Sequence, residues 1–193
     1  MVSAVASAPS NAAVMLHRFP SSSAAFMFCP KGSSRFRDWT PLALSLLPLG
    51  LVLDIGAHDG SDALIYARAG HNVMSFEPNP SKREAVVKRI NASGFSSQIT
   101  FVSAAVADEV GTQRFWSADT GGEMDSLSKP IWGDETKLHP LTVPVTTIDA
   151  VVGQQIVAFA KIDTQGHGAR EHHEQQSVTA AYARTISADA CQS

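Results

Sequence analysis

Three acidic residues and a pair of glycines mark where this chain could do chemistry. Asp54-Ile-Gly56-Ala-His58-Asp-Gly60 follows the apolar run Leu51-Val-Leu53 and precedes a helical pattern opening near Ser61. A strand, a glycine turn and a helix in that order bring backbone N–H groups and the positive end of a helix to one point, where nucleotide-type ligands can bind. Glu77 closes the next apolar run, Val73-Met-Ser-Phe76, and offers an acceptor for ribose hydroxyls. Asp163 closes a later run, Val157-Ala-Phe-Ala-Lys-Ile162, and His167 lies just beyond it. Both stand as candidate catalytic bases, since open α/β sheets hold their ligands at the carboxyl ends of strands.

The glycine spacing bears on which cofactor fits. A dinucleotide site asks for G-x-G-x-x-G because the pyrophosphate lies against bare backbone at the second glycine. Here His58 occupies that position, the spacing is Gly56-x-x-x-Gly60, and Asp54 adds a negative charge. A diphosphate would be crowded and repelled, whereas a cationic ligand would be welcome. S-adenosylmethionine carries a sulfonium, an ammonium and ribose hydroxyls, so it is the expected cofactor, with NAD as the alternative. Plainer readings stand beside these: Gly56 and Gly60 as turn glycines, Asp54 as a partner of the helix N-terminus, Glu77 as a turn cap, Asp163 as structural.

The elements that must position these residues alternate. Strands are predicted at 51–56, 72–77, 99–106 and 157–162. The first helix runs from about Ser61 to Ala69, with Gly70 suited to its C′ position. Asn79-Pro80 reads as an N-cap and N1 proline for a second helix ending near Ala92, with Val86, Val87 and Ile90 on its inner face. Thr112 to Trp116 is predicted to return from a turn as a strand, 117–141 to be a long irregular stretch, and 143–148 to be an extended edge segment. A short helix begins at Asp149. Alternating strands and helices predict an α/β fold with a parallel sheet and right-handed crossovers. Four such strands leave the C-terminal half of a doubly wound sheet incomplete, so the edge beside the fourth is expected to be unpaired.

Composition narrows the class. With 44% hydrophobic and 17% charged residues, most of the 193-residue chain should be globular. A net charge of −3 offers no basic field for nucleic acid. No apolar run reaches the roughly 20 residues of a membrane span. Cys29 and Cys191 do not form a disulfide framework. His172 and His173 are adjacent and cannot share a helix face, and their spacing to His167 fits no metal pattern. Residues 1–37 lack Asp and Glu and are rich in Ser and Ala. Segment 1–40 therefore reads as a disordered tail or a targeting segment, the latter sending an intracellular chain to an organelle. Residues 41–168 form the expected domain, and 169–193 read as a polar tail of separate origin.

Five blocks in order carry a resemblance: Val52-Leu-Asp54-Ile-Gly56-Ala-His-Asp-Gly60, Phe76-Glu77-Pro78-Asn79-Pro80, Ala104-Ala-Val106-Ala-Asp108, Val143-Pro-Val-Thr-Thr-Ile-Asp149 and Lys161-Ile-Asp163-Thr-Gln-Gly166-His167. Over about residues 51–167 the chain resembles the FkbM family of S-adenosylmethionine-dependent methyltransferases. The resemblance implies a Rossmann-like class I methyltransferase sheet and methyl transfer to the hydroxyl of a small molecule or sugar. It implies cofactor contacts from Asp54, Gly56, Gly60, Glu77 and Asn79, and an adenine border at Ser103 and Ala104. Asp163 would face the methyl donor, and Ser126-Leu127 resembles a Ser-Leu pair in the family's mid-domain loop. Thr164, Gln165 and Gly168 depart from the family's pattern after Asp163, and the resemblance stops there. A cofactor-binding fragment or pseudoenzyme without turnover is thus the alternative to an active enzyme.

Overall fold

The computed structural model describes residues 25–28, 49–118, 125–127 and 137–163; strands and helices alternate from residue 51 to residue 102, and three more described strands follow before the last described helix. The order is β1 (Ala25–Phe28), β2 (Leu51–Ile55), α1 (Ser61–Arg68), β3 (Asn72–Phe76), α2 (Pro80–Ala92), β4 (Ile99–Val102), β5 (Ala105–Val106), β6 (Gly111–Ala118), β7 (Leu138–Thr146), α3 (Ile148–Val152) and β8 (Val157–Ile162). One sheet has the order β1-β8-β2-β3-β4, and every pairing in it is parallel. Counting from β2, the strands of the sheet follow the 3-2-1-4 order of a doubly wound fold, and the order reverses between β2 and β8.

The apolar runs are near-continuous because both faces of this sheet are covered. Leu51, Leu53, Ile55, Met74, Phe76 and Ile162 pack with Ile148 and Val152 of α3 on one face. Val52, Val73 and Phe159 meet Ala63 and Tyr66 of α1 and Val86 and Ile90 of α2 on the other. The Tyr66 and Phe159 rings meet edge to face at 5.9 Å. Local signals set the helix ends. The Asn79 side chain accepts from the Ser81 N–H at 3.0 Å ahead of Pro80, and Gly70 takes φ 94 just past α1.

Several expectations are corrected. The run 99–106 is two strands, because the chain leaves the main sheet at Ser103 and β5 pairs with β7 in a second, three-stranded sheet of order β5-β7-β6. β7, which holds most of the segment expected at an edge, is the middle strand of that sheet and begins at Leu138, inside the stretch expected to be irregular. Its prolines, Pro140 and Pro144, share one phase of the antiparallel ladder with β6, while β5 covers Val145 and Thr146 alone. Most of β7 therefore has an open side where a missing N–H costs little. Val87 is exposed rather than inward. The β8 edge expected to be unpaired is paired with β1, with Ala25 opposite Phe159 and Phe28 opposite Ile162. That places a strand within the segment expected to be disordered or targeting. No helix among the described residues is long and apolar enough to cross a membrane.

Candidate functional site

The loop after β2 is built from left-handed residues: Gly56 at φ 82, His58 at φ 55 and Gly60 at φ 74. For a histidine such backbone is costly, and it persists only where the surroundings fix it. Gly56 and Ala57 both donate their N–H groups to the Phe76 carbonyl, at 3.1 and 2.8 Å, and Gly60 donates to the Ala57 carbonyl at 2.8 Å. Gly60 also has a packing reason to be glycine, since a Cβ there would lie 3.1 Å from Cγ1 of Val86.

Glu77 joins this loop to the turn after β3. Its Oε2 accepts from the His58 N–H at 2.9 Å, and its Oε1 from the Asn79 N–H at 2.8 Å. The N–H at the position where a dinucleotide motif has its second glycine is thus committed to a carboxylate. Burial pushes the Glu77 pKa up. Lys82 and the two backbone donors oppose that, and Asp125 adds to it. A carboxylate oxygen has more than one lone-pair site, so each retains capacity for a ligand hydroxyl.

Asp54 is fully buried and does not present a bare charge, which corrects the electrostatic argument from sequence. Its Oδ1 lies 3.2 Å from Lys161 Nζ and its Oδ2 accepts from the Ser75 hydroxyl at 3.1 Å. Strand alternation causes this: Asp54 stands opposite both Ser75 and Lys161 in register, so all three share a face. Lys161 also donates to the Gly56 carbonyl at 2.8 Å and lies 3.5 Å from Asp62 and 3.9 Å from Asp163. Burial works against the Lys161 charge, yet Asp54, Asp163 and Asp62 hold its pKa above the usual lysine value. For Asp54 burial wins in the other direction, pushing its pKa up despite Lys161. Three carboxylates thus gather around one ammonium at the switch point.

The other sequence-predicted residues divide. Asp163 sits at the end of β8, its side chain 31% exposed and its N–H donating to the Ile55 carbonyl at 2.9 Å. Ser103 and the buried Ala104 lie between β4 and β5, at the same end of the sheet as Glu77, whose N–H donates to the Val102 carbonyl at 3.2 Å. Asn79 has its side chain engaged by protein: it accepts from Ser81 and donates to Ser117 Oγ at 3.1 Å and to Asp125 Oδ2 at 2.7 Å. Ser126 exchanges backbone hydrogen bonds with Trp116 at 2.8 and 3.0 Å, and Leu127 packs on Ala105, Ala107 and Val145. His167, His172 and His173 lie outside the described residues. Sequence reasoning missed Lys161 and Asp125. Lys161 carried a signal, a lysine inside an otherwise apolar strand, which calls for a buried counter-charge. Asp125, in a stretch without periodicity, carried none.

A parallel sheet of this strand order, with a glycine loop after one strand and an acid after the next, defines a Rossmann-like α/β fold. Residues 54–170 match the family described as Methyltransferase FkbM domain. That is more than half of the chain, which therefore belongs to the FkbM methyltransferase family. Among solved structures, methyltransferase FkbM from Methylobacillus flagellatus KT is 19% identical with a TM-score of 0.45, covering 72% of this chain and 30% of that one. The C-terminal domain of precorrin-6Y C5,15-methyltransferase from Rhodobacter capsulatus is 28% identical with a TM-score of 0.31, covering 34% of this chain and 36% of that one. The chain thus spans little more than a third, or less, of these two structures. No curated protein sequence matches it.

Proposed function

We propose that this methyltransferase-family chain takes S-adenosylmethionine at the carboxyl ends of β2, β3 and β4 and directs its methyl group to a hydroxyl of a small molecule or sugar. The observation that carries the reading is Glu77, a buried carboxylate held by the His58 and Asn79 N–H groups with lone pairs left for ribose hydroxyls. The loop N–H committed to Glu77 disfavours a diphosphate.

When bound, S-adenosylmethionine supplies an electrophilic methyl carbon. The chain's own contribution is positioning and proton handling. Gly56 and Gly60 shape the loop, Glu77 orients the ribose, and Ser103 and Ala104 border the adenine. Asp54 acts through Lys161, which fixes the Gly56 carbonyl. Asn79 holds Glu77 through its backbone N–H rather than touching the ligand with its amide. Asp163, partly exposed at the end of β8, would accept the proton of the acceptor hydroxyl, with His167 a second candidate. Calorimetry with S-adenosylmethionine and with NAD tests the cofactor: binding of the first is expected, and binding of NAD alone refutes the reading. A labelled methyl group offered with a panel of hydroxyl acceptors then separates turnover from binding without transfer.

A further inference from the structure

We propose that Asp125 is a positioning residue for the methyl-donor site, acting through Asn79 on Glu77; the inference rests on the reading of Glu77 as the ribose-binding acid. Asp125 belongs to neither glycine loop nor core strand. Yet it is buried to 7% exposure, and three donors from two elements converge on it. The Asn79 amide donates at 2.7 Å, the Ala118 N–H at the end of β6 donates at 3.0 Å, and Lys82 Nζ in the first turn of α2 lies 3.1 Å away. Burial opposes its charge, but these donors hold its pKa below the ordinary aspartate value.

The geometry links this cluster to the donor site by one short path. Asn79 is two residues from Glu77, and its backbone N–H is one of the two that hold the Glu77 carboxylate. The Asn79 side chain both caps α2 and reaches Asp125, so the turn Glu77-Pro78-Asn79 is pinned from the helix on one side and from β6 on the other. Asp125 also roots the chain between β6 and β7 at this spot, because its neighbour Ser126 pairs with Trp116 of β6. A plain role as a cap for the end of β6 would explain the Ala118 bond alone. It would not explain why the shortest of the three contacts goes to the residue that aims Glu77.

The test is titration calorimetry of the full chain with S-adenosylmethionine. Losing a hydrogen bond between a charged acceptor and the turn is expected to raise Kd for Asp125→Ala about tenfold, or about 1.4 kcal/mol. Asp125→Asn keeps an acceptor for the Asn79 amide but sets an NH2 against the Ala118 N–H, so its Kd should rise less than that of Asp125→Ala while its thermal midpoint falls. In a Glu77→Gln background, Asp125→Ala should change Kd by less than about threefold, because the path it acts through is already broken. A merely structural role would lower the thermal midpoint and multiply Kd by the same factor in both backgrounds. Unchanged affinity in Asp125→Ala, or a full tenfold loss in the Glu77→Gln background, overturns the inference. Should Asp125→Ala not fold, Asn79→Asp serves instead. It preserves the helix cap but sets a carboxylate against Asp125, and the same tenfold loss is expected, with an unchanged Kd again overturning the inference. Wild-type chain that takes up no S-adenosylmethionine refutes the proposed function and this inference together; wild-type binding that survives Asp125→Ala refutes this inference alone.

Discussion

Replacing Lys161 by methionine keeps the stem of the side chain and removes the ammonium that faces Asp54, Asp62 and Asp163. At the 3.2 Å separation of Lys161 and Asp54, with an effective dielectric of about 20, their attraction is about 5 kcal/mol. Taking one partner from a buried pair costs about 3–5 kcal/mol in practice. Asp54 sets a ceiling of its own, because it can take up a proton instead of staying charged. From an ordinary pKa near 3.9 that costs about 4 kcal/mol at about pH 7. The expected loss at neutral pH is therefore about 3–4 kcal/mol, a large part of the roughly 5–15 kcal/mol that holds a domain folded. The pH dependence has a definite sign. Burial already raises the Asp54 pKa, and without Lys161 nothing of comparable strength opposes it. With its pKa above the ordinary value, Asp54 binds a proton more readily in the folded variant than in the unfolded chain. The variant's deficit shrinks as pH falls from neutral toward the ordinary carboxylate range, by at most about 1.4 kcal/mol per unit. Urea unfolding of wild type and variant at about pH 7 and pH 5.5 reads this directly. Lys161→Met combined with Asp54→Asn removes the carboxyl and should abolish the extra pH dependence. A deficit below about 1 kcal/mol at neutral pH, or one equal at both pH values, refutes the reasoning.

Two further outcomes are expected. Gly60→Ala forces a side chain into φ 74 backbone and sets its Cβ 3.1 Å from Val86, so urea denaturation should show a loss of about 1–3 kcal/mol. Because the Glu77 pKa is raised by burial, affinity for S-adenosylmethionine should decline as pH falls through a range above that of an ordinary glutamate near 4.3. Glu77→Gln should bind more weakly than wild type and lose that decline, as calorimetry across pH would register.

What could be read from the chain alone was local. Asn79-Pro80 and Gly70 announce helix ends because capping chemistry acts within a few residues. The four main strands were visible because apolar runs covered on both faces need no partner to be recognised. What was hidden depends on residues far apart in sequence. The Asp54–Lys161 pair spans 107 positions, and a lysine in an apolar strand calls for a counter-charge without telling which residue supplies it. The split of 99–106 into two strands left no mark, since Phe101, Val102, Ala105 and Val106 remain apolar whichever sheet they join. Val87 misled because it is β-branched and apolar beside Val86, yet the helix turns it away from the core. Pro144 argued for an edge and Pro140 for an irregular stretch, and both are tolerated within β7 because β5 is so short.

Asn79 has a consequence for which codons this gene could accept. Its carbonyl oxygen accepts from the Ser81 N–H and hydroxyl, its amide donates to Ser117 and Asp125, and its main chain serves Glu77 and Lys82. Aspartate matches the shape but brings no donor, serine is too short, and glutamine would have to forgo the helix cap. A saturation library should therefore tolerate almost nothing at this turn, while the neighbouring exposed Arg83 and Glu84 accept most replacements.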